Sequence, residues 1–139
     1  AETLFKEAGA RRVVRLAVAG PFHCPLMQDA AAEFEKAIAD VQFNDPSVTL
    51  FSNVSGRQLA SGAEAKKSAV LHLIQSVLWT SEEQALGELM TTDAGSEWFV
   101  LEPGPGKVLS GLWKDTEYGA RWPSLPCGTA EAVAQAAAL

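Results

Sequence analysis

Three short apolar runs, each closing on a glycine- or proline-rich turn, alternate with longer segments of helical spacing, and this order leaves few folds open. RVVRLAVAG runs into GPFHCP, SVTLFSN ends in NVSG, and EWFVLEPGPG carries its own glycine-rich loop. In the first run Val14, Leu16 and Val18 face one way and Arg15 the other, the period of a half-buried strand. From Leu26 to Val41, the residues Met27, Ala30, Ala31, Phe34, Ile38 and Val41 share one face of a helix, with Glu33, Lys36 and Asp40 opposite. Ala63–Leu78 reads as a second amphipathic helix with Leu71, Ile74 and Leu78 in register. Thr80 with Glu83, and Ser81 with Gln84, each fit a capping box, so a third helix is expected from near Ser81 to about Met90. KVLSGLWKD predicts a helix after the glycine-rich loop, and the Ala-rich tail from Thr129 a terminal one. The opening AETLFKEAGA reads as the end of a helix stopped at Gly9. The order strand, helix, strand, helix, helix, strand, helix predicts an α/β fold, a parallel sheet covered by helices. In such sheets functional loops gather at the carboxyl edge, which singles out GPFHCP, SNVSG and EPGPG.

With 139 residues the chain has the size of one domain, and 47% hydrophobic against 20% charged residues fits a globular core. The net charge of −6 argues against nucleic-acid binding, which needs a basic stripe to displace phosphate counterions. The charge is uneven: Lys6, Arg11, Arg12 and Arg15 outweigh Glu2 and Glu7 at the start. No apolar run approaches the ~18 residues of a membrane span, and the charged opening is not a signal peptide. Cys24 and Cys127 are too few for a disulfide framework and read as reduced thiols of a cytosolic protein.

His23 is the most informative residue: it ends a strand, lies in a turn bracketed by Pro21 and Pro25, and precedes a long helix. A general base needs such a fixed imidazole at the sheet's carboxyl edge; the competing reading is a structural histidine satisfied by a backbone partner. Cys24 beside it makes a poor dyad, because neighbouring side chains of an extended segment point to opposite faces. Two His and two Cys, without C-x-x-C or H-x-x-x-H spacing, offer no metal site. EPGPGKVLSG fails as a phosphate loop, since Val108 follows Gly106-Lys107 where a metal-binding hydroxyl is required and Leu101 stands where the first glycine should be. No serine occupies a G-x-S-x-G elbow; Ser110 falls inside an expected helix. The chain thus offers a base and no nucleophile.

The motifs GPFHCPLM, LFSNVSG, SVLW and EPGPGKVLSGL, in this order, resemble the C-terminal part of malonyl-CoA:acyl carrier protein transacylases, from about Phe5 to about Leu112. The resemblance implies a portion of an α/β-hydrolase-like core with a parallel sheet, residues 20–139, preceded by the last helix and strand of a ferredoxin-like subdomain, residues 1–19. It makes His23 the catalytic histidine of a Ser–His pair. Phe22 matches the substrate-binding aromatic position that accompanies malonyl rather than branched substrates, since a large ring crowds an α-methyl group. A backbone carbonyl that orients the histidine maps to His72, seven residues before Trp79, where the family usually has Gln. The side chain of His72 reads as a polar group on the rim of its helix, although a second imidazole nearby could perturb His23. Asn53 and Lys107 receive no chemical role.

The resemblance also implies what lies elsewhere: the glutamine-bearing oxyanion loop, the serine elbow and the arginine that clamps the malonyl carboxylate all precede residue 1 in the family. The expected activity is transfer of a malonyl group from malonyl-CoA to the phosphopantetheine thiol of acyl carrier protein in fatty-acid biosynthesis. It needs no dissociable cofactor or metal, takes place in the cytoplasm, and requires the N-terminal part of the same enzyme as a partner; the chain alone is expected to be inactive. Two alternatives stand beside it: a fragment of a polyketide synthase acyltransferase, and a non-catalytic truncated homologue that binds carrier protein or completes another chain's fold.

Overall fold

The computed structural model describes residues 1–15, 17–93 and 95–138. Helix α1 (Glu2–Glu7) ends as its sequence suggests, with Gly9 at φ 90° closing it. The strand expected after it is not formed: no strand is assigned at residues 11–15 or 17–19, and Leu16 lies outside the described residues. A strand exists only through a backbone partner. Here Val14 and Val18 are 56% and 68% exposed, so the alternation has no core to face.

A 3₁₀ turn, Pro25–Met27, leads into α2 (Gln28–Ala37), whose Ala31 is 1% exposed and marks the inner face. α2 packs against α3 (Gly62–Leu71). Lys66 of α3 ties the pair by donating to the carbonyls of Ala39 (2.7 Å) and Val41 (3.0 Å), orphan acceptors beyond the end of α2. The start of α3 is fixed by a capping arrangement: Ser61 Oγ accepts from Glu64 N–H, and Glu64 Oε2 accepts from Ala60 N–H.

SVTLFSN yields two strand residues instead of a parallel strand. β1 (Phe51–Ser52) pairs antiparallel with β2 (Arg57–Gln58) across the turn Asn53–Gly56, where Gly56 takes φ 64°. α4 (Trp79–Thr92) packs on this hairpin. It begins two residues earlier than expected, and neither capping box is used; instead Leu78 N–H donates to Asn53 O (2.7 Å), which sets where the helix begins.

The parallel sheet is present in small form. β3 (Val100–Pro103) pairs in parallel with β4 (Ser124–Cys127), Val100 opposite Ser124 and Pro103 opposite Cys127, with α5 (Val108–Lys114) as the crossover between them. β4 was not legible in the sequence, because Pro126 breaks the strand pattern; proline is tolerated where its missing N–H faces away from a partner. α6 (Ala130–Ala136) follows, capped by Thr129 Oγ1, and packs on β4. Trp113 of α5 is 3% exposed, with its indole N–H donating to Trp122 O (2.6 Å) and its ring stacked on Tyr118. Tyr118 fills the space a Cβ at Gly87 would need, which is why α4 carries a glycine there.

Candidate active site

α3 stops at Leu71, seven residues short of the end its periodicity suggests. A helix that ends leaves its last carbonyls without intrahelical donors. His72 and Leu73 lie at that end, and the turn Pro21–Cys24 docks onto them. His23 N–H donates to Leu73 O (3.1 Å), and the His23 ring donates from Nδ1 to His72 O (2.8 Å). Had α3 continued, the His72 carbonyl would have been taken by Ser76 N–H. The two-point attachment holds His23 at φ 60°, a left-handed conformation that a non-glycine residue keeps only when its surroundings impose it.

The anchor decides the tautomer. A carbonyl oxygen only accepts, so Nδ1 of His23 carries the hydrogen and Nε2 presents its lone pair. The ring is half-buried, and its free nitrogen has the state a general base requires.

The His72 side chain lies inside this cluster, not on a helix rim. Its ring centroid is 4.8 Å from that of His23, tilted by 40°, and its Nε2 accepts from Asn53 Nδ2 at 3.1 Å. Burial away from water, and then the nearby His23, lower its pKa below the ordinary imidazole value. Asn53, for which the sequence suggested no role, therefore joins the site through a contact between a hairpin turn and a helix end that no local pattern encodes.

Two of the three loops singled out from sequence meet here, GPFHCP and SNVSG. The third does not join their hydrogen bonds: Gly104 packs against Gly128, and Glu102 caps α5 by accepting from Leu109 N–H, Ser110 N–H and Ser110 Oγ. Phe22, 51% exposed, lies over Gly20. The Cys24 thiol is turned to Pro21 O (3.0 Å), and both cysteines are free. Among the described residues no three His, Cys, Asp or Glu side chains gather as a metal would need, and no helix is long and apolar enough to cross a membrane.

Among the described residues, His23 is an imidazole anchored through Nδ1 whose Nε2 is left free, an arrangement that can serve acid–base chemistry in an α/β chain. Comparison with known proteins narrows this class: the chain is a homologue of the malonyl CoA-acyl carrier protein transacylases. It is 35% identical to that of Haemophilus influenzae over 114 residues, 82% of this chain and 35% of the relative. The crystal structure of the malonyl-CoA:acyl carrier protein transacylase from Xanthomonas oryzae pv. oryzae superposes with a TM-score of 0.79 at 34% identity, covering 96% of this chain and 40% of that one. A malonyl-transacylase solved in complex with a type II polyketide synthase acyl carrier protein matches with a TM-score of 0.72 at 30% identity, covering 92% of this chain and 39% of that one. No protein-family model matches the chain. The chain spans about a third of the length of the curated relatives it matches.

Proposed function

We propose that this chain is the C-terminal part of a malonyl-CoA:acyl carrier protein transacylase of fatty-acid biosynthesis, with His23 as its general base. The observation that carries this reading is the 2.8 Å bond from His23 Nδ1 to the His72 carbonyl, which leaves Nε2 basic and aimed by a fixed backbone. The nucleophilic serine comes from the N-terminal part of the same enzyme, together with the oxyanion donors and the arginine for the malonyl carboxylate. In the first half-reaction Nε2 takes the serine proton as the hydroxyl oxygen bonds to the thioester carbonyl carbon. The C–S bond then breaks and the proton passes to the departing CoA thiolate. In the second, Nε2 takes the proton of the phosphopantetheine thiol, whose sulfur attacks the malonyl ester. The C–O bond breaks and the serine oxygen recovers the proton.

Further support comes from an unfinished core face. An apolar cavity of about 220 Å³ beside β3, lined by Phe51, Trp79, Leu86, Leu101 and Leu109, also takes in the carboxyls of Glu82 and Glu83, and one buried oxygen of Glu82 has no hydrogen-bond partner. Burial raises the pKa of both carboxyls. Residues 1–19 belong, on this reading, to a ferredoxin-like subdomain, in keeping with an α1 that buries none of its own residues. The enzyme works in the cytoplasm.

Phe22 restricts the acyl group: truncating it to Ala should move the preference from malonyl- toward methylmalonyl-CoA by roughly tenfold or more, the usual worth of a methyl group in an apolar pocket. The neighbour solved with a polyketide carrier protein favours a second reading, in which the acceptor is a polyketide synthase carrier; transfer rates to the two kinds of carrier separate them.

The test is incubation of the purified material with malonyl-CoA, followed by denaturing mass measurement of every polypeptide present. A malonyl adduct on a serine-bearing polypeptide, lost when His23 is replaced by Ala, is the expected result. An adduct formed equally fast without the imidazole overturns the assignment.

A further inference from the structure

We infer that Asn53 and His72 form a proton-selecting pair, in which the Asn53 amide occupies the His72 lone pair so that His23 alone accepts protons during turnover. This rests on the reading of His23 as the base and deepens it.

Two imidazoles with centroids 4.8 Å apart give an arriving proton two destinations, and both rings cannot hold one without charge repulsion. A proton resting on His72 would be lost to the reaction, since that ring is not the one the turn Pro21–Cys24 presents. Asn53 resolves the ambiguity. Its Nδ2–H points at His72 Nε2 from 3.1 Å, so protonating that nitrogen would set one N–H against another. Neutral His72 then carries its hydrogen on Nδ1, and its basic lone pair is engaged.

The donor is fixed by backbone, not by chance rotamer. Asn53 opens the hairpin turn, its own carbonyl accepts from Leu78 N–H at 2.7 Å, and the turn is closed by Gly56 N–H on Ser52 O at 2.7 Å. Meanwhile the His72 main chain is held by the His23 ring itself. The ring that accepts and the ring that is blocked are therefore positioned by one hydrogen-bonded set.

On the elements around the pair, the Cys24 thiol is on Pro21 O, and the charged groups are Asp29, Glu33, Glu35 and Lys36 of α2, Glu64, Lys66 and Lys67 of α3, Arg57 of β2, and Glu82, Glu83 and Glu88 of α4. Several are engaged elsewhere: Glu33 pairs with Lys36, Glu64 accepts from Ala60 N–H, and Lys66 donates to the carbonyls of Ala39 and Val41. The end of α3, from Ser68 to Gln75, carries no charged residue.

NMR of the protein in its native assembly, with this chain alone labelled in histidine, reads the pair directly because the chain has two histidines. The expected result is His72 as the Nδ1–H tautomer, with a midpoint below the ordinary imidazole value. Asn53→Asp replaces the donor by an acceptor of similar shape that favours the His72 cation. It should raise the His72 midpoint by about one pH unit or more. Asn53→Ala should raise it by less, and serves if the Asp variant does not fold. An Nε2–H tautomer of His72 in the unaltered protein, or a His72 midpoint unmoved in the folded variants, overturns the inference. Failure of the malonyl-adduct assay with the His72 tautomer and its midpoint shift as expected would instead remove the catalytic reading and leave the Asn53–His72 pairing standing.

Discussion

At His23 the backbone and the side chain are committed together. A φ of 60° is costly for a residue with a Cβ, and the site holds it through two acceptors at the end of α3, Leu73 O for the main chain and His72 O for the ring. Replacing His23 by Ala keeps the first and removes the second. On the proposed reading of His23 as general base, transfer by the proposed complete transacylase should fall by roughly 10²–10⁴-fold, the usual worth of a positioned acid–base group, with the fold retained. Steady-state rates alongside circular dichroism check this; unchanged rates would show the ring to be structural. What the sequence displayed of this site was the rigid, proline-bracketed histidine. That His72 supplies its carbonyl came from the family resemblance, and that its ring faces His23 could not be read from a helical wheel, because the helix has already ended there. Asn53 was hidden for the same reason, its partner being set by how a hairpin docks on a helix terminus.

At the scale of elements, α2, α5 and α6 lie where apolar spacing puts them, because helical periodicity is a local property. Strands depend on partners, so the described residues of RVVRLAVAG alternate without forming one, while Pro-containing SLPC forms one because β3 lies alongside it. Ser61 and Glu64, which cap α3, stand at the same spacing as the unused pairs at Thr80 and Ser81 but were not singled out from the sequence. Burial of Gly62 decided which was real: its N–H donates to Asp45 Oδ1 at 2.9 Å, and a Cβ there would run into the carbonyls of Phe43 and Asn44. Gly62→Ala should therefore destabilise the protein by about 1–3 kcal/mol, the usual cost of overpacking, even though alanine is the better helix former. A thermal midpoint equal to that of the unaltered protein would contradict this.

The N-terminus of α5 allows a prediction with a pH signature. Glu102 accepts from the Ser110 hydroxyl at 2.6 Å and from the backbone N–H groups of Ser110 and Leu109, and these bonds, the hydroxyl first, hold its carboxyl below the usual range. A carboxyl depressed in the folded state contributes stability that is fully present above its unfolded pKa and is lost as pH falls through the folded value. Glu102→Gln should thus cost stability at neutral pH and converge with the unaltered protein in acid. Parallel melting curves at both ends of the pH range would refute it.

The molecule as a whole exposes more surface than its size warrants. A folded monomer of 14.8 kDa is expected to expose about 7,000 Å², whereas this chain exposes 10251 Å². That excess, about 3,000 Å², is larger than one partner's share of most obligate interfaces. Its chemistry agrees with its extent, for Leu4, Phe5, Val14, Val18, Leu26 and Val108 are all more than half exposed. Buried hydrophobic residues among those described are Ala31, Leu59, Met90 and Trp113, too few for a core that stands by itself. A two-state domain of this length should absorb about 100 kcal/mol on melting near 60 °C. The 139-residue chain on its own should instead melt broadly, with a much smaller enthalpy, and bind a hydrophobic dye before it melts. Co-expression with the proposed serine-bearing part should sharpen the transition and abolish dye binding, because the apolar cavity beside β3 would then be covered. A single sharp transition of the isolated chain, with calorimetric and van't Hoff enthalpies equal and near the full value, would mean that the exposed faces need no partner and that the chain is a self-sufficient domain.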